Sequence, residues 1–140
     1  MQVRKFTKDD LLRWGELAKT EFCEEDFCGT EYFEKWWEDV QGWVLETEKG
    51  EWIGVHFNSN KRHDFNPGKE QVHFLQTVVF PKYRGLGYGR KLIEIGLENS
   101  IGKTRSACIN PENLASIKLY ESCGFVRGKP HKTWDVYLCE

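Results

Sequence analysis

The stretch Phe80-Pro-Lys-Tyr-Arg-Gly-Leu-Gly-Tyr-Gly-Arg-Lys-Leu-Ile93 decides how the rest of this 140-residue chain is read. It leaves an apolar run, Phe74-Leu-Gln-Thr-Val-Val-Phe80, passes Pro81 and three alternating glycines, and enters Tyr88–Ser100, whose pattern predicts a helix. A strand feeding a glycine-rich turn that opens a helix is an anion site. The glycines let the backbone turn tightly and approach a ligand, the first helical N–H groups have no internal partner, and the helix dipole adds partial positive charge. Lys82, Arg84, Arg90 and Lys91 surround the turn with cationic side chains, so the expected ligand carries phosphate.

Spacing excludes the commonest phosphate binders. A Walker A loop requires G-x-x-x-x-G-K-S/T, which the chain lacks, and Gly85, Gly87 and Gly89 give G-x-G-x-G rather than the G-x-G-x-x-G of dinucleotide sites. What the residues do match is R-x-x-G-x-G, with Arg84, Gly87 and Gly89 in the fixed places. This resembles the acetyl-CoA pyrophosphate loop of the GNAT superfamily of N-acetyltransferases. Downstream, Asn113-Leu-Ala-Ser-Ile-Lys-Leu-Tyr-Glu-Ser-Cys-Gly-Phe125 resembles a second hallmark of that family, N-x-x-A/S-x-x-x-Y-x-x-x-G-F, in the expected order. The two motifs cover the C-terminal half of the chain; the N-terminal half matches only in its pattern of elements.

Residues 1–140 have the length of one domain. The composition is 39% hydrophobic and 30% charged, with a formal net charge of −2, which gives no general attraction to nucleic acid or to a membrane surface. No apolar run reaches the length of a membrane span, and the start has charges but no signal-like apolar segment, so a cytoplasmic location is expected. The odd number of cysteines reads as reduced thiols. Cys23 and Cys28 lack the second close Cys/His pair that a four-ligand metal site needs, and no metal is expected.

Patterning predicts strands over 2–6, 41–48, 51–57, 71–80, 104–109, 125–127 and 133–138, and helices over 11–22, 30–39, 88–100 and 111–122. Thr7, Thr30 and either Asn110 or Asn113 stand where N-caps belong, and Gly124 stands where a left-handed C-terminal glycine belongs. The strand–helix–strand order over 71–109 requires a right-handed crossover and hence a parallel pair. Periodicity alone gives an α/β or α+β domain with one sheet. The resemblance adds the topology: a mixed central sheet of about seven strands, flanked by about four helices, with splayed central strands.

The resemblance also implies a site. Thr77, Val78 and Val79 would line the pantetheine arm, mostly through backbone groups, with simple core packing the alternative for the two valines. Arg84, Gly85, Leu86, Gly87, Tyr88, Gly89 and Arg90 would wrap the pyrophosphate of acetyl-CoA. Asn113 matches an asparagine that bonds the CoA arm, with helix capping the alternative. Tyr120 matches the tyrosine that protonates the departing thiolate, with core packing the alternative; an ordinary phenol, with pKa near 10, is comparable in basicity to that thiolate. For the base, the resemblance points to two positions. A glutamate five residues before the motif asparagine, present in one branch of the family, is Cys108 here. A glutamate early on the central strand of another branch corresponds to His73, which regular alternation places on the face of Thr77 and Val79. A histidine of ordinary pKa near 6.5 suits a base, and a buried structural histidine is the alternative.

The segment Glu21–Asp39 holds eight acids against Lys35, a local charge of −7, interleaved with aromatics. In the family this region borders the acceptor cleft. Glu24, Glu25, Asp26 and Glu31 beside Trp36 or Trp37 would attract a cation by charge and by cation–π contact, a solvated acidic face over an aromatic core being the alternative. The expectation is therefore direct acetyl transfer from acetyl-CoA to a small cationic primary amine in a ternary complex. A homodimer is left open, and a catalytically silent acyl-CoA-binding or regulatory domain is the alternative function.

Overall fold

Seven strands form one mixed sheet in the order β1-β2-β3-β4-β5-β7-β6. The computed structural model describes residues 1–21, 33–35, 37–60, 70–131 and 134–140. The strands are β1 (Gln2–Lys5), β2 (Val40–Glu46), β3 (Trp52–Ser59), β4 (Gln71–Val79), β5 (Thr104–Ile109), β6 (Val126–His131) and β7 (Trp134–Cys139). The helices are α1 (Leu11–Glu21), α2 (Tyr88–Glu98) and α3 (Leu114–Ser122), and residues 33–35 are also helical. Every neighbouring pair is antiparallel except β4 and β5, which the α2 crossover makes parallel as the element order requires.

The helices cover both faces of the sheet. On one, Trp14 and Ala18 of α1 pack with Phe6, Phe33, Phe57 and Val78. On the other, Ile93 of α2 and Tyr120 of α3 pack with Val72, Phe74 and Ile109, while Leu92 and Ile95 cover Trp43, Leu45 and Ile53. Thr7 starts the first helical segment as its position predicts. Its N–H donates to Asp10 Oδ2 at 2.8 Å, and Arg4 donates to both oxygens of that carboxylate at 2.9 Å, tying β1 to the helix start. This pairing holds the Asp10 carboxyl below its ordinary range against the opposing effect of partial burial.

Strand β3 runs two residues further than its alternation predicts and is buried along its whole length. Its register with β4 slips once: Phe57 faces Gln76, whereas Asn58 faces Phe74, leaving Leu75 as an extra residue in β4. A bulge of this kind inverts the side-chain alternation beyond it. Strand β4 is less buried than a central strand is expected to be, because its Leu75, Gln76 and Thr77 are only half-buried. Beside them the sheet opens: β4 and β5 pair at Gln71 with Thr104, Val72 with Arg105 and His73 with Ser106, and pairing stops there. Beyond that point the two strands splay.

The last turn of α3 explains the end of the second motif. Gly124, at φ 97°, donates its N–H to Glu121 O at 3.1 Å, and Phe125 donates to Tyr120 O at 3.1 Å. This is a Schellman closure, whose C-terminal apolar contact is here the edge-on meeting of the Tyr120 and Phe125 rings at 5.0 Å. The helix end thereby fixes the ring that the site uses.

Gly96 lets α2 sit directly on the sheet. A Cβ there would collide with Nε2 of His56 and lie 2.9 Å from Cζ of Phe74. Gly96→Ala is therefore expected to destabilise the fold by about 1–3 kcal/mol despite the better helix propensity of alanine. Urea unfolding checks this, and wild-type stability would mean that α2 can shift off β3 without cost.

Candidate active site

Two cavities meet where the strands part. One, of about 630 Å³, is lined by Thr77, Val78 and Val79, by Arg84, Gly85, Gly87, Tyr88, Gly89 and Arg90, and by Asn113. The other, of about 450 Å³, lies in the gap between the strands and is lined by Phe74 through Val78, by Ala107 through Asn110, and by Glu112, Asn113, Ser116 and Tyr120. Thr77, Val78, Asn113 and Ser116 line both, so the two form one cleft from the glycine loop to the Tyr120 hydroxyl. Leu86 is the one loop residue of the expected set outside these linings; its side chain is exposed.

The loop has the geometry that its glycines suggest. Gly85 and Gly87 have φ of 77° and 87°, and Gly87 is the N-cap of α2. Such φ values strain any residue with a Cβ. The first i→i−4 bond of the helix is Lys91 N–H to Gly87 O, so the N–H groups of Tyr88, Gly89 and Arg90 precede the helical ladder. Arg84 bends back: its Nε donates to Val79 O at 2.9 Å, which clamps the loop onto the end of β4. That geometry adds a structural duty to the role expected of Arg84.

At the gap, the Tyr120 hydroxyl lies 2.8 Å from Thr77 Oγ1, and burial pushes its phenol up to about 12. Asn113 takes the helix-capping alternative, its Oδ1 accepting from Ser116 N–H at 3.2 Å, while its residue still borders both cavities. Asn110 instead closes the preceding turn, accepting from Glu112 N–H at 2.9 Å. Cys108, on the gap lining, has its thiol raised by burial and is thereby kept protonated.

His73 does not stand where alternation placed it. It pairs with Ser59 whereas Thr77 pairs with His56, and Ser59 and His56 are an odd number of residues apart on β3. His73 therefore faces away from Thr77 and Val79, the inversion being caused by the bulge at Leu75. It is buried, its Nδ1 lies 2.8 Å from Ser106 Oγ, and it is absent from the lining of the cleft. The face argument for His73 as the base is overturned.

Thr77 instead leads to a histidine that the sequence reading passed over. His56 is fully buried, with Nδ1 2.8 Å from Thr77 Oγ1 and Nε2 2.6 Å from Asn58 Oδ1, and Asn58 Nδ2 donates to Gly96 O at 3.2 Å. Burial lowers its pKa from 6.5 to about 4. Of the residues expected to bind the acceptor, Glu24, Glu25, Asp26, Glu31 and Trp36 lie outside the described residues. Trp37 packs against the core, its ring centroid 6.2 Å from that of Phe6. Glu112 is the carboxylate on the described lining of the gap. Among the described residues, no cluster of His, Cys, Asp and Glu could hold a metal, and no helix is long and apolar enough to cross a membrane.

Comparison with known proteins accords with this architecture. The profile of the acetyltransferase (GNAT) family matches residues 10–125, and the chain belongs to that family. A mycothiol acetyltransferase of Amycolatopsis mediterranei (strain U-32) is 34% identical over 98 residues, 65% of this chain and 32% of that protein. The match thus spans about a third of that relative's length. The spermidine N-acetyltransferase of Vibrio cholerae, solved with CoA and spermine, superposes with a TM-score of 0.68 at 20% identity over 98% of this chain and 92% of its own. NAA60 of Arabidopsis thaliana, solved with acetyl-CoA, gives 0.74 at 19% identity over 98% and 95%. At these identities the structural likenesses establish the fold: a GNAT sheet with splayed central strands.

The cleft fits the family's cofactor. Helix-start N–H groups, positive-φ glycines and the cations Arg84 and Arg90 suit a pyrophosphate, and the gap beyond them suits a slender arm ending near Tyr120.

The buried neutral His56 gives a pH signature. The unfolded chain takes up a proton below pH 6.5 that the folded chain refuses until about pH 4. Its contribution to stability is thus present above pH 6.5 and lost as pH falls through that window, on the order of 3 kcal/mol in all. Denaturant melts from pH 7 to 4 should show a steeper acid loss in the wild type than in His56→Gln; equal slopes would mean that His56 takes up its proton as readily in the folded chain as in the unfolded one.

Proposed function

We propose that this chain is an acetyl-CoA-dependent N-acetyltransferase that acts on a primary amine in a ternary complex. The observation that carries this reading is the single cleft joining the phosphate-suited loop to the Tyr120 hydroxyl. Acetyl-CoA, when bound, supplies the activated acetyl thioester. The chain's own residues do the rest. The N–H groups of Tyr88, Gly89 and Arg90 hold the pyrophosphate, Val79 and Thr77 line the arm, and Asn113 and Ser116 border the bend between the cavities. Tyr120 stands at the thioester end as the acid that protonates the leaving sulfur. Like any phenol it carries its proton at neutral pH, and because burial pushes it up to about 12 it is a weaker acid than an ordinary phenol, so its role rests on its placement rather than on its acidity.

A small cationic amine is the acceptor that the chemistry favours. The Vibrio cholerae relative is named for spermidine and was solved with spermine, and the segment before β2 carries a local −7. An amine must be neutral to attack, so the carboxylates would bind a second, non-reacting cation on the substrate. Their effect is then on binding rather than on the chemical step.

Arg84→Ala should weaken CoA binding about tenfold to hundredfold, the worth of an Arg–phosphate bond at roughly 1.5–3 kcal/mol. Gly87→Val should do likewise by disturbing the left-handed cap. Calorimetry showing wild-type affinity in both would remove the assignment of the loop. Tyr120→Phe should lower kcat by about 10- to 10⁴-fold with CoA affinity unchanged. CoA bound tightly but no thiol released across an amine panel would instead favour a silent acyl-CoA-binding domain.

Combined Glu24→Gln, Glu25→Gln and Asp26→Gln should raise KM for spermidine, and added salt should do the same, because exposed charge pairs are screened beyond about 8–10 Å. A KM that ignores both would reduce the segment to a solvated face.

A further inference from the structure

We propose that His56 is the inner terminus of a directed proton relay to Tyr120, running through Thr77 and serving as both base and acid for acetyl transfer. The relay rests on the placement of Tyr120 beside the thioester. Its direction is set from its far end. The carbonyl of Gly96 can only accept, so Asn58 presents Nδ2 to it, at 3.2 Å, and Oδ1 to His56, at 2.6 Å. The His56 Nε2 must then carry a proton, which leaves Nδ1 bare in the neutral ring. Nδ1 therefore accepts from the Thr77 hydroxyl at 2.8 Å, and Thr77 Oγ1 in turn accepts from the Tyr120 hydroxyl at 2.8 Å. The Tyr120 oxygen is left with a lone pair toward the gap that its residue lines.

A chain so directed takes a proton inward. As the amine nitrogen bonds to the acetyl carbon, its proton passes to the Tyr120 oxygen, the phenolic proton to Thr77, and the Thr77 proton to His56 Nδ1, giving an imidazolium held by Asn58. As the carbon–sulfur bond breaks, the inner protons run back, and the gap-side proton of Tyr120 goes to the thiolate. The products are the acetylated amine and the free thiol, and the chain ends as it began. No oxidant, metal or second base is required. This accounts for the chemistry without His73.

The surroundings of His56 fit a transient carrier. From β2, β3, β4 and α2 it meets Trp43, Asn58, Thr77 with Phe74, and Gly96, all uncharged, and Tyr120 is the titratable group one hydroxyl away. Burial with a pKa of about 4 means that the imidazolium is visited and not stored. His56 acts through Thr77 and Tyr120, and is a positioning and relay residue rather than one that touches substrate.

The test has two arms. Ring-nitrogen NMR of the ligand-free protein, assigned with His56→Gln, should show His56 protonated on Nε2 and bare on Nδ1. The opposite tautomer would overturn the relay whatever the activity. With spermidine as the probe amine, Thr77→Val should lower kcat at least tenfold with CoA affinity unchanged, Thr77→Ser should restore most of it, and the proton inventory in mixed light and heavy water should change from bowed in the wild type to linear in Thr77→Val. Valine and serine variants with equal kcat would overturn the relay alone. Normal CoA binding with no turnover of any amine would remove the proposed function and the relay together.

Discussion

Pairing between β4 and β5 ends at His73 and Ser106, and the cleft exists because it ends there. A parallel pair that continued would satisfy its backbone groups internally and leave no room between the strands. The bulge at Leu75 bends β4 just beyond the last pair, and the residues that follow are those that border the gap. Backbone groups released from the ladder must find other partners, and an extended ligand arm can provide them. The opening in the sheet and the capacity to bind such an arm are one structural fact.

The glycine loop and α3 are placed by the same opening. Strand β4 delivers the chain to the loop at one end of the gap, and the clamp of Arg84 on Val79 O keeps the loop at that strand end. Helix α3 lies beside the gap with Asn113 at its start and Tyr120 at its end, and the Schellman closure through Gly124 and Phe125 sets the ring. Beneath them, His56 and Asn58 bury polar groups at the centre of the sheet. Such groups are costly unless fully paired, and here each ring nitrogen and the amide have partners down to Gly96 O. A satisfied buried network of this kind specifies one arrangement of β3, β4 and α2.

Much of this was legible in the sequence for physical reasons. Glycine spacing and Gly124 encode backbone geometry directly, so the loop and the end of α3 could be read; the start of α3 was narrowed only to Asn110 or Asn113, and the parallel crossover followed from the element order. The bulge could not: nothing about Leu75 marks it as an extra residue, and one uncounted residue was enough to put His73 on the wrong face. Asn58 was missed because the predicted strand stops at Phe57, two residues short of the end of β3, and His56 because a polar residue near a strand end carries no mark of burial. Only the cover of α2, which Gly96 allows, buries them. For the acceptor region the sequence reading rested on charge and aromatic content, and Trp37 shows that such a residue can belong to the core instead.

The central claim is that one cleft holds the pyrophosphate at the glycine loop and the thioester at Tyr120. A crystal structure with CoA bound tests it most directly. The account predicts pyrophosphate oxygens on the N–H groups of Tyr88, Gly89 and Arg90, the arm between β4 and β5, and the sulfur within hydrogen-bond reach of the Tyr120 hydroxyl. CoA seated elsewhere, or a sulfur remote from Tyr120 with the arm outside the gap, would contradict it.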